Sequence, residues 1–379
     1  MPPKAHAILS ASSSHRWLNC PPSARLCETY EDKGSNYAAE GTDAHSLCEY
    51  KLRKALGMGA VDPSEHLTWY NEEMEDCANG YATYIMELME SAKETCADPV
   101  VLIEQRVDFS RWVEQGFGTS DAVIIADGTL RVIDYKHGLG VLVGADNNPQ
   151  MMCYALGALE LFDAIYDIDS VAMTVYQPRR QNVSTFEMSK DDLYRWAEEV
   201  LKPTAELAFA GDGNFLCGEW CGFCKAKHEC RARAEANLLL AQYDFKLPPL
   251  LEDSEIEVIL SRADQLVSWV NDIKEYALQQ AISGKDWTGF KLVEGRSNRR
   301  YTDEAAVTQV VTNAGFDPYE RKLLGITAMQ KLLGKSRFEE LLSAYIEKPH
   351  GKPTLVPESD KRPVMNNAKT DFMEENDYE

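Results

Sequence analysis

Long hydrophobic runs are missing from this sequence. The first residues, Met1-Pro-Pro-Lys-Ala-His6, lack the apolar core of a secretory signal peptide, and no stretch approaches the length of a membrane span. We therefore expect a cytoplasmic protein with no membrane partner. The 10 cysteines among 379 residues then argue against a disulfide scaffold, because disulfides are rare in a reducing compartment.

Several common functional signatures are also missing. Leu333-Gly-Lys-Ser336 is not a phosphate-binding loop, because Met329 stands where that motif requires its upstream glycine. The chain shows no internal repeat and no persuasive Ser-His-Asp pattern. The sequence therefore gives no indication of a P-loop nucleotide hydrolase, a repeat protein or a serine hydrolase.

Basic residues are scarce: 39 Lys and Arg stand against 61 Asp and Glu, which gives a formal net charge of −22. A protein that coats duplex DNA has the opposite balance. A local basic groove is still compatible with these numbers if the charges are segregated. The segment 285–300 alternates Trp287 and Phe290 with basic residues, which is typical of either single-strand stacking or a solvated charged face. The arginines expected to contact DNA are Arg179, Arg180, Arg299 and Arg300.

The most informative segment carries a hairpin signal. Asp127-Gly128 lies between two runs of apolar strand-forming residues, and Asp-Gly favours a type I′ turn because both central positions need positive φ. A two-residue loop there sets Asp121 opposite Asp134, with their Cβ atoms roughly 4.5–5.5 Å apart. The face that they share also carries four apolar residues, namely Val123, Ile125, Leu130 and Val132.

Two opposed carboxylates on an apolar face repel each other unless something compensates. The simplest compensation is a divalent cation held by both Asp121 and Asp134. Lys136 follows two residues after Asp134 and points to the same face, and an ammonium beside a bound cation suits phosphodiester hydrolysis. The alternative is a hairpin whose acids are solvated at its open end, with Lys136 as a local ion-pair partner.

Two helical pairs with a spacing of four residues accompany this hairpin, His45 with Glu49 and Gln150 with Tyr154. His45 lies in 38–55, a stretch of good helix formers, and its imidazole is a plausible third metal ligand; the alternative is a buried core histidine. Gly41, unfavourable in a helix, marks either the helix start or a close backbone approach. Gln150 and Tyr154 share a face of a helix that begins at Pro149, where they either orient a phosphate or simply pack.

Together these motifs resemble the PD-(D/E)xK nuclease superfamily. Their order over residues 10–235 is similar to its RecB-type branch: an early helical histidine, an Asp, Asp/Glu-x-Lys, and a helix with Gln-x-x-x-Tyr. The resemblance implies an α/β fold with a restriction-endonuclease-like central mixed sheet flanked by helices. It implies Mg²⁺ or Mn²⁺ ligands at His45, Asp121, Asp134 and the Tyr135 carbonyl, and catalytic roles for Asp121, Asp134, Lys136, Gln150 and Tyr154.

The cysteines give a second signal. Cys221, Cys224 and Cys230 form a C-x2-C-x5-C pattern, which is a metal-binding spacing that Cys217 or His228 would complete as a local zinc site. In iron–sulfur RecB-type nucleases one cysteine near the start joins three near the end. The resemblance therefore implies a [4Fe–4S] cluster on Cys20, Cys221, Cys224 and Cys230, with Cys217 as the rival of Cys20. We interpret five others as buried thiols: Cys27, Cys48, Cys77, Cys96 and Cys153.

The pattern of apolar and polar residues divides the chain into three parts. A nuclease domain with the cysteine cluster is predicted over 1–240, and a mostly helical C-terminal module over 251–348 follows a linker at 247–250. An extended, partly disordered tail is predicted over 349–379. Helices are predicted over 38–55, 74–93, 148–162, 190–209 and 255–282, and strands over 100–107, 120–126, 130–136 and 171–176.

The remainder of the chain after residue 235, ending in Lys348-Pro-His-Gly-Lys-Pro-Thr-Leu355, resembles an uncharacterised family encoded by phages and prophages. We therefore expect a Mg²⁺- or Mn²⁺-dependent DNA exonuclease of phage recombination or DNA processing, in the cytoplasm of a bacterial host. Its expected partners are DNA, single-stranded or with free ends, and a phage recombination protein. The alternatives are a catalytically silent DNA-binding or assembly factor on the nuclease fold, and a zinc-stabilised adaptor.

Overall fold

A five-stranded mixed sheet organises the first part of the chain. The computed structural model describes residues 7–31, 34–239, 251–294, 301–319, 323–347 and 356. The strands are β1 (Val100–Asp108), β2 (Phe117–Ile125), β3 (Gly128–Tyr135), β4 (Ile168–Gln177) and β5 (Asn182–Ser189). They pair in chain order; β3 and β4 are parallel and the other neighbours are antiparallel. The overall architecture is therefore α/β, as predicted.

Helices flank this sheet. Those of the first unit are α1 (Ser14–Asn19), α2 (Ser23–Glu28), α3 (Asn36–Ala55), α4 (Glu72–Ala92), α5 (Pro149–Phe162), α6 (Lys190–Trp196), α7 (Lys202–Ala210), α8 (Arg231–Leu238) and α9 (Asp253–Ile282). Because β3 and β4 are parallel, a crossover must join them, and α5 supplies it. No described helix is both long enough and apolar enough to cross a membrane.

The sheet has a buried core on each face. One core packs α5 against the side chains of Val123 and Val132, and the other packs α3 and α4 against those of Ile124 and Tyr135. Strand alternation sends neighbouring residues of β2 and β3 into opposite cores. The acids of the hairpin therefore share their face with the first core.

Helix α5 begins at Pro149, as the sequence predicts. The Asn148 side chain caps it by accepting hydrogen bonds from the backbone N–H groups of Gln150 and Met151. A Cβ built on Gly157 would lie 2.9 Å from Val107 Cβ, so the glycine lets the helix approach β1 closely. This packing fixes the face of α5 that carries Gln150.

Two local features differ from expectation. Strand β5 escaped prediction because Asn, Ser, Thr and Glu dominate it and its residues alternate between partly buried and exposed. The helix predicted over 190–209 is interrupted by a π-helical turn, Ala197–Leu201. Pro203 has no N–H to bond the carbonyl four residues earlier, which explains the interruption.

Contacts group the chain into Met1–Lys285 and Asp286–Glu379. Helix α9 belongs to the first unit, where Asp272 pairs with Arg233 at 2.5 Å and with Lys227 at 2.7 Å. The second unit contains α10 (Glu304–Asn313), α11 (Ile326–Leu333) and α12 (Lys335–Leu342), in agreement with a helical C-terminal region. The linker at 247–250 lies outside the described residues, as does all of the tail except Val356. The predicted domain limits remain predictions.

Candidate metal centre and cysteine site

The predicted hairpin register is present. Ala122 pairs with Ile133, Val123 with Val132 and Ile124 with Arg131, and one further step sets Asp121 opposite Asp134. The four apolar residues of that face are fully buried, namely Val123, Ile125, Leu130 and Val132. The backbone N–H of Tyr135 donates to Asp121 Oδ2 at 2.6 Å, which holds this carboxylate across the two strands.

Three elements converge on a group that can hold a cation. Ligand atoms of His45 on α3, Glu104 on β1 and Asp121 on β2 all lie within 4.8 Å of one another. His45 Nδ1 is 3.0 Å from Asp121 Oδ1.

Helix α3, which carries His45, begins at Asn36, so Gly41 is interior, and a Cβ built on it meets no atom within 4 Å. The two explanations offered for Gly41, a helix start and a close backbone approach, are therefore wrong among the described residues.

Glu104 was missed in the sequence. The β1–β2 ladder pairs Ile103 with Ala122 and Gln105 with Ser120, so Glu104 falls opposite Asp121, and its φ of 50° is rare for a non-glycine residue. The only signal was an acid that ends the apolar run Val100–Ile103. The 109–116 connection contains no two-residue turn motif, so the register of β1 against β2 could not be read from it.

The charges in this group perturb one another. Burial alone would lower the pKa of His45, but the charge and the hydrogen bond of Asp121 raise it to about 8. Burial, followed by the repulsion of Asp121, raises the pKa of Glu104 to about 7. Perturbed groups gathered at one point are typical of functional sites.

Asp134 lies beside this group with its own set of partners. Its side chain is 5 % exposed, and Lys136 Nζ lies 2.8 Å from its Oδ2. Gln150 Nε2 donates to Asp134 Oδ1 at 2.9 Å and to the Tyr154 hydroxyl at 3.2 Å. Burial raises the pKa of Asp134, and the nearby charge of Asp121 adds to that effect. The structure thus brings Asp134, Lys136, Gln150 and Tyr154 together by direct contacts.

The donor set fits a divalent cation. An imidazole and carboxylates are ordinary ligands for Mn²⁺, and carboxylates are the usual protein ligands of Mg²⁺. Asp134 Oδ2 is buried and lies 2.8 Å from the Lys136 ammonium, which compensates its charge within the protein. The Tyr135 ring packs on the opposite face, edge-on to His45 with ring centroids 5.6 Å apart. His45 and Asp121 thus join Glu104 in the tight group, whereas Asp134 faces Lys136.

Gly118, at the start of the Gly-Thr-Ser-Asp motif, makes room for this arrangement. A Cβ at Gly118 would lie 2.5 Å from Tyr154 Cε1. The buried Tyr154 ring therefore occupies the space that any larger residue would need. This contact places the tyrosine hydroxyl beside Gln150.

Four of the cysteine residues form a second site. Cys20 follows α1, and the other three follow α7; Cys20, Cys221, Cys224 and Cys230 line one small cavity. Arg16, Lys227 and Arg233 line the same cavity, and positive charge favours thiolates. The buried Arg233 also ties this segment to α9 through Asp272.

Two further thiols touch this set. Cys27, interpreted as an ordinary buried thiol, has its Sγ 3.6 Å from Cys224 Sγ, a neighbour 197 residues away in sequence. The hydrogen bond from Cys224 lowers the pKa of Cys27 to about 6, and the hydrogen bond from Cys217 does the same for Cys221. The remaining thiols lie elsewhere: Cys48, Cys96 and Cys153 are buried, and Cys77 is half-buried.

The arginines expected to contact DNA have different environments. Arg179 pairs with Glu40 at 2.9 Å and with Glu73 at 3.2 Å, so its charge is already neutralised within the protein. Arg180 is exposed and donates to the Leu139 carbonyl oxygen at 2.9 Å. Arg299 and Arg300 lie outside the described residues.

Comparison with known proteins gives a family. A family model described as "Protein of unknown function (DUF2800)" matches residues 6–363. Among solved structures, one titled "Crystal structure of SSO0001" is similar at 15 % identity over 49 % of this chain and 95 % of its own, with a TM-score of 0.20. A likeness at that level carries no structural conclusion. Because the family model spans nearly the whole sequence, this chain belongs to the DUF2800 family of proteins of unknown function.

Proposed function

We propose that this protein is a Mg²⁺- or Mn²⁺-dependent deoxyribonuclease, and more specifically an exonuclease of the RecB type acting in phage recombination or DNA processing. The observation that carries the proposal is the convergence of His45, Glu104 and Asp121 from three elements, directly beside the Asp134–Lys136 pair. The exonuclease assignment rests on the sequence resemblance described above.

Each residue then has a role that follows from its contacts. His45, Glu104 and Asp121 would hold the cation, which when bound supplies an activated water and a positive charge for the phosphate oxygens. Asp134 holds the Lys136 ammonium in place, and that ammonium neutralises negative charge that develops on the phosphate. Gln150 and Tyr154 present polar groups on the same side.

The test is digestion of end-labelled single- and double-stranded DNA with Mn²⁺, with Mg²⁺ and with EDTA. We expect cleavage only with a cation, and we expect Lys136→Ala to lose cleavage while it still binds Mn²⁺. Lys202→Ala is the matched control, because Lys202 is a half-buried lysine on α7, 44 % exposed at its side chain, whose partner Glu198 lies 3.5 Å away. Equal cleavage by the Lys136→Ala and wild-type proteins would reject the proposed site. A folded wild-type protein that binds DNA and never cleaves it would favour the silent scaffold instead.

We further propose that the cysteine site holds a [4Fe–4S] cluster on Cys20, Cys221, Cys224 and Cys230. Protein purified without oxygen should contain about four iron atoms per chain. Cys20→Ser should lose the iron, whereas Cys77→Ser, at a half-buried thiol of α4, should keep it. Stoichiometric zinc without iron would support the zinc-stabilised alternative. Thiol ligands of this kind need a reducing compartment, in keeping with the cytoplasm of a bacterial host.

A further inference from the structure

The connection between β3 and α5 contains an exposed apolar loop, residues 138–144, with the sequence Gly-Leu-Gly-Val-Leu-Val-Gly. Leu139, Val141 and Leu142 are 47 %, 56 % and 53 % exposed. The loop joins Lys136 to Gln150, so it begins and ends within a few residues of the proposed catalytic groups. Clustered exposed apolar side chains usually mark an interaction site.

Polar groups fix the backbone of this loop. The amide nitrogen of the buried Gln177 donates to the carbonyl oxygens of Gly138 and Val141, both at 2.8 Å. Its amide oxygen accepts from the N–H of Val143 at 3.2 Å. Asn182 donates to the carbonyl oxygen of Val143 at 2.9 Å. The three exposed side chains therefore project from a held backbone rather than from a loose segment.

Two of the three glycines of this loop, Gly138 and Gly140, are not explained by contacts among the described residues. Gly138 and Gly140 do not adopt positive φ, and a Cβ built on either meets nothing within 4 Å. Neither backbone strain nor packing of the described residues therefore requires glycine here. Glycine also allows a ligand to approach the backbone closely.

The charge around the loop points to a polyanion. Residues 136–145 contain no acid in a chain whose formal net charge is −22, and they follow directly from the Lys136 ammonium. The exposed Arg180 binds the loop through the Leu139 carbonyl oxygen and adds a second cation. We propose that this apolar loop contacts the unpaired bases of the DNA strand whose backbone enters the metal centre. Apolar side chains inserted between bases are a known means of unstacking them.

This inference rests on the proposed function, and its test separates the two. The full-length Leu139→Ser/Leu142→Ser protein should bind a fluorescein-labelled single strand in EDTA about tenfold more weakly than wild type, as judged by anisotropy. Ile165→Ser is the matched control, since Ile165 is 74 % exposed beyond the opposite end of α5, and its affinity should be unchanged. A strand with 2-aminopurine near its end should fluoresce more on binding to wild type than to the double variant.

Hydrolysis of bis(p-nitrophenyl) phosphate with Mn²⁺ completes the design, because this ester has no bases. The double variant should hydrolyse it at the wild-type rate, with an unchanged melting temperature. Unchanged DNA affinity in a folded double variant would overturn the loop's role, as would an equal loss of ester hydrolysis. A wild-type protein that hydrolyses neither ester nor DNA would refute the nuclease, while the affinity comparison would still decide the loop. Absence of any DNA binding by wild type would overturn both.

Discussion

Substituting Asp134 with Asn tests whether the Asp134–Lys136 pair stabilises the sheet as well as the chemistry. Asparagine keeps the shape of the side chain and an oxygen that accepts from Gln150, but it removes the charge opposite Lys136. The ammonium then loses its only ion-pair partner among the described residues. We expect the cation-free protein to be destabilised.

The size of this destabilisation depends on how far the Lys136 side chain is exposed to water. Breaking a buried ion pair by removing one partner costs about 3–5 kcal/mol. The Lys136 side chain keeps 30 % exposure, so water can solvate part of its charge, and the loss of repulsion from Asp121 offsets a further part. We therefore expect about 1–2 kcal/mol, which lowers the melting temperature by roughly 2–8 °C in a unit of this size.

The assay is thermal unfolding in EDTA followed by circular dichroism. Asp163→Asn is the matched control: Asp163 and Lys190 lie at the same 2.8 Å distance, but their side chains are 29 % and 26 % exposed, so a cost of only about 0.2–1 kcal/mol is expected. The Asp134→Asn/Lys136→Met double variant should recover part of the loss, because no charge is left without its partner. An Asp134→Asn protein as stable as wild type would refute this reasoning.

Other predictions concern metal binding and packing. Mn²⁺ should raise the melting temperature of wild type by binding the folded state, and Glu104→Gln should reduce that rise; an unchanged rise would remove Glu104 from the ligands. Gly118→Ala should lower the free energy of unfolding by about 1–3 kcal/mol, because its Cβ would overlap the Tyr154 ring; denaturant titration measures this, and no change would contradict the contact. Gly41→Ala in the interior of α3 should instead raise stability by about 0.5–1 kcal/mol, and a loss would mean that something occupies the open space beside it. Cys27→Ser should leave the iron content unchanged if Cys20 is the fourth ligand, whereas a loss of iron would make Cys27 a ligand.

The parts of the site predicted from sequence are those held by local geometry. Asp127-Gly128 marked the turn, and its position fixed which residue of β3 faces Asp121. The predicted type I′ geometry is wrong, because only Gly128 of the two residues has a positive φ. The spacing of Gln150 and Tyr154 and the proline at the helix start likewise placed both side chains on one face of α5. In each case the partner lies a few residues away, so the chain itself determines the contact.

The parts that were missed depend on long-range packing. Glu104 meets Asp121 only through the pairing of β1 with β2, and no turn motif reports that register. Cys27 meets Cys224 because α2 packs against the cysteine segment, and a separation of 197 residues leaves no local signal. The π-helical turn after Trp196 interrupts the helix predicted over 190–209. The apolar periodicity of this segment is helical throughout, so it does not reveal the backbone hydrogen bond that Pro203 cannot form.

The central claim is that the group formed by His45, Glu104 and Asp121 binds a cation that supports DNA cleavage. Its most direct test is the single-turnover rate of cleavage of an end-labelled single strand with Mn²⁺, compared between Asp121→Asn and Asp169→Asn. Asp169 is an exposed acid on β4, so its variant controls for loss of one negative charge. We predict a loss of at least about a hundredfold for Asp121→Asn and none for Asp169→Asn. Wild-type cleavage by a folded Asp121→Asn protein would contradict the account.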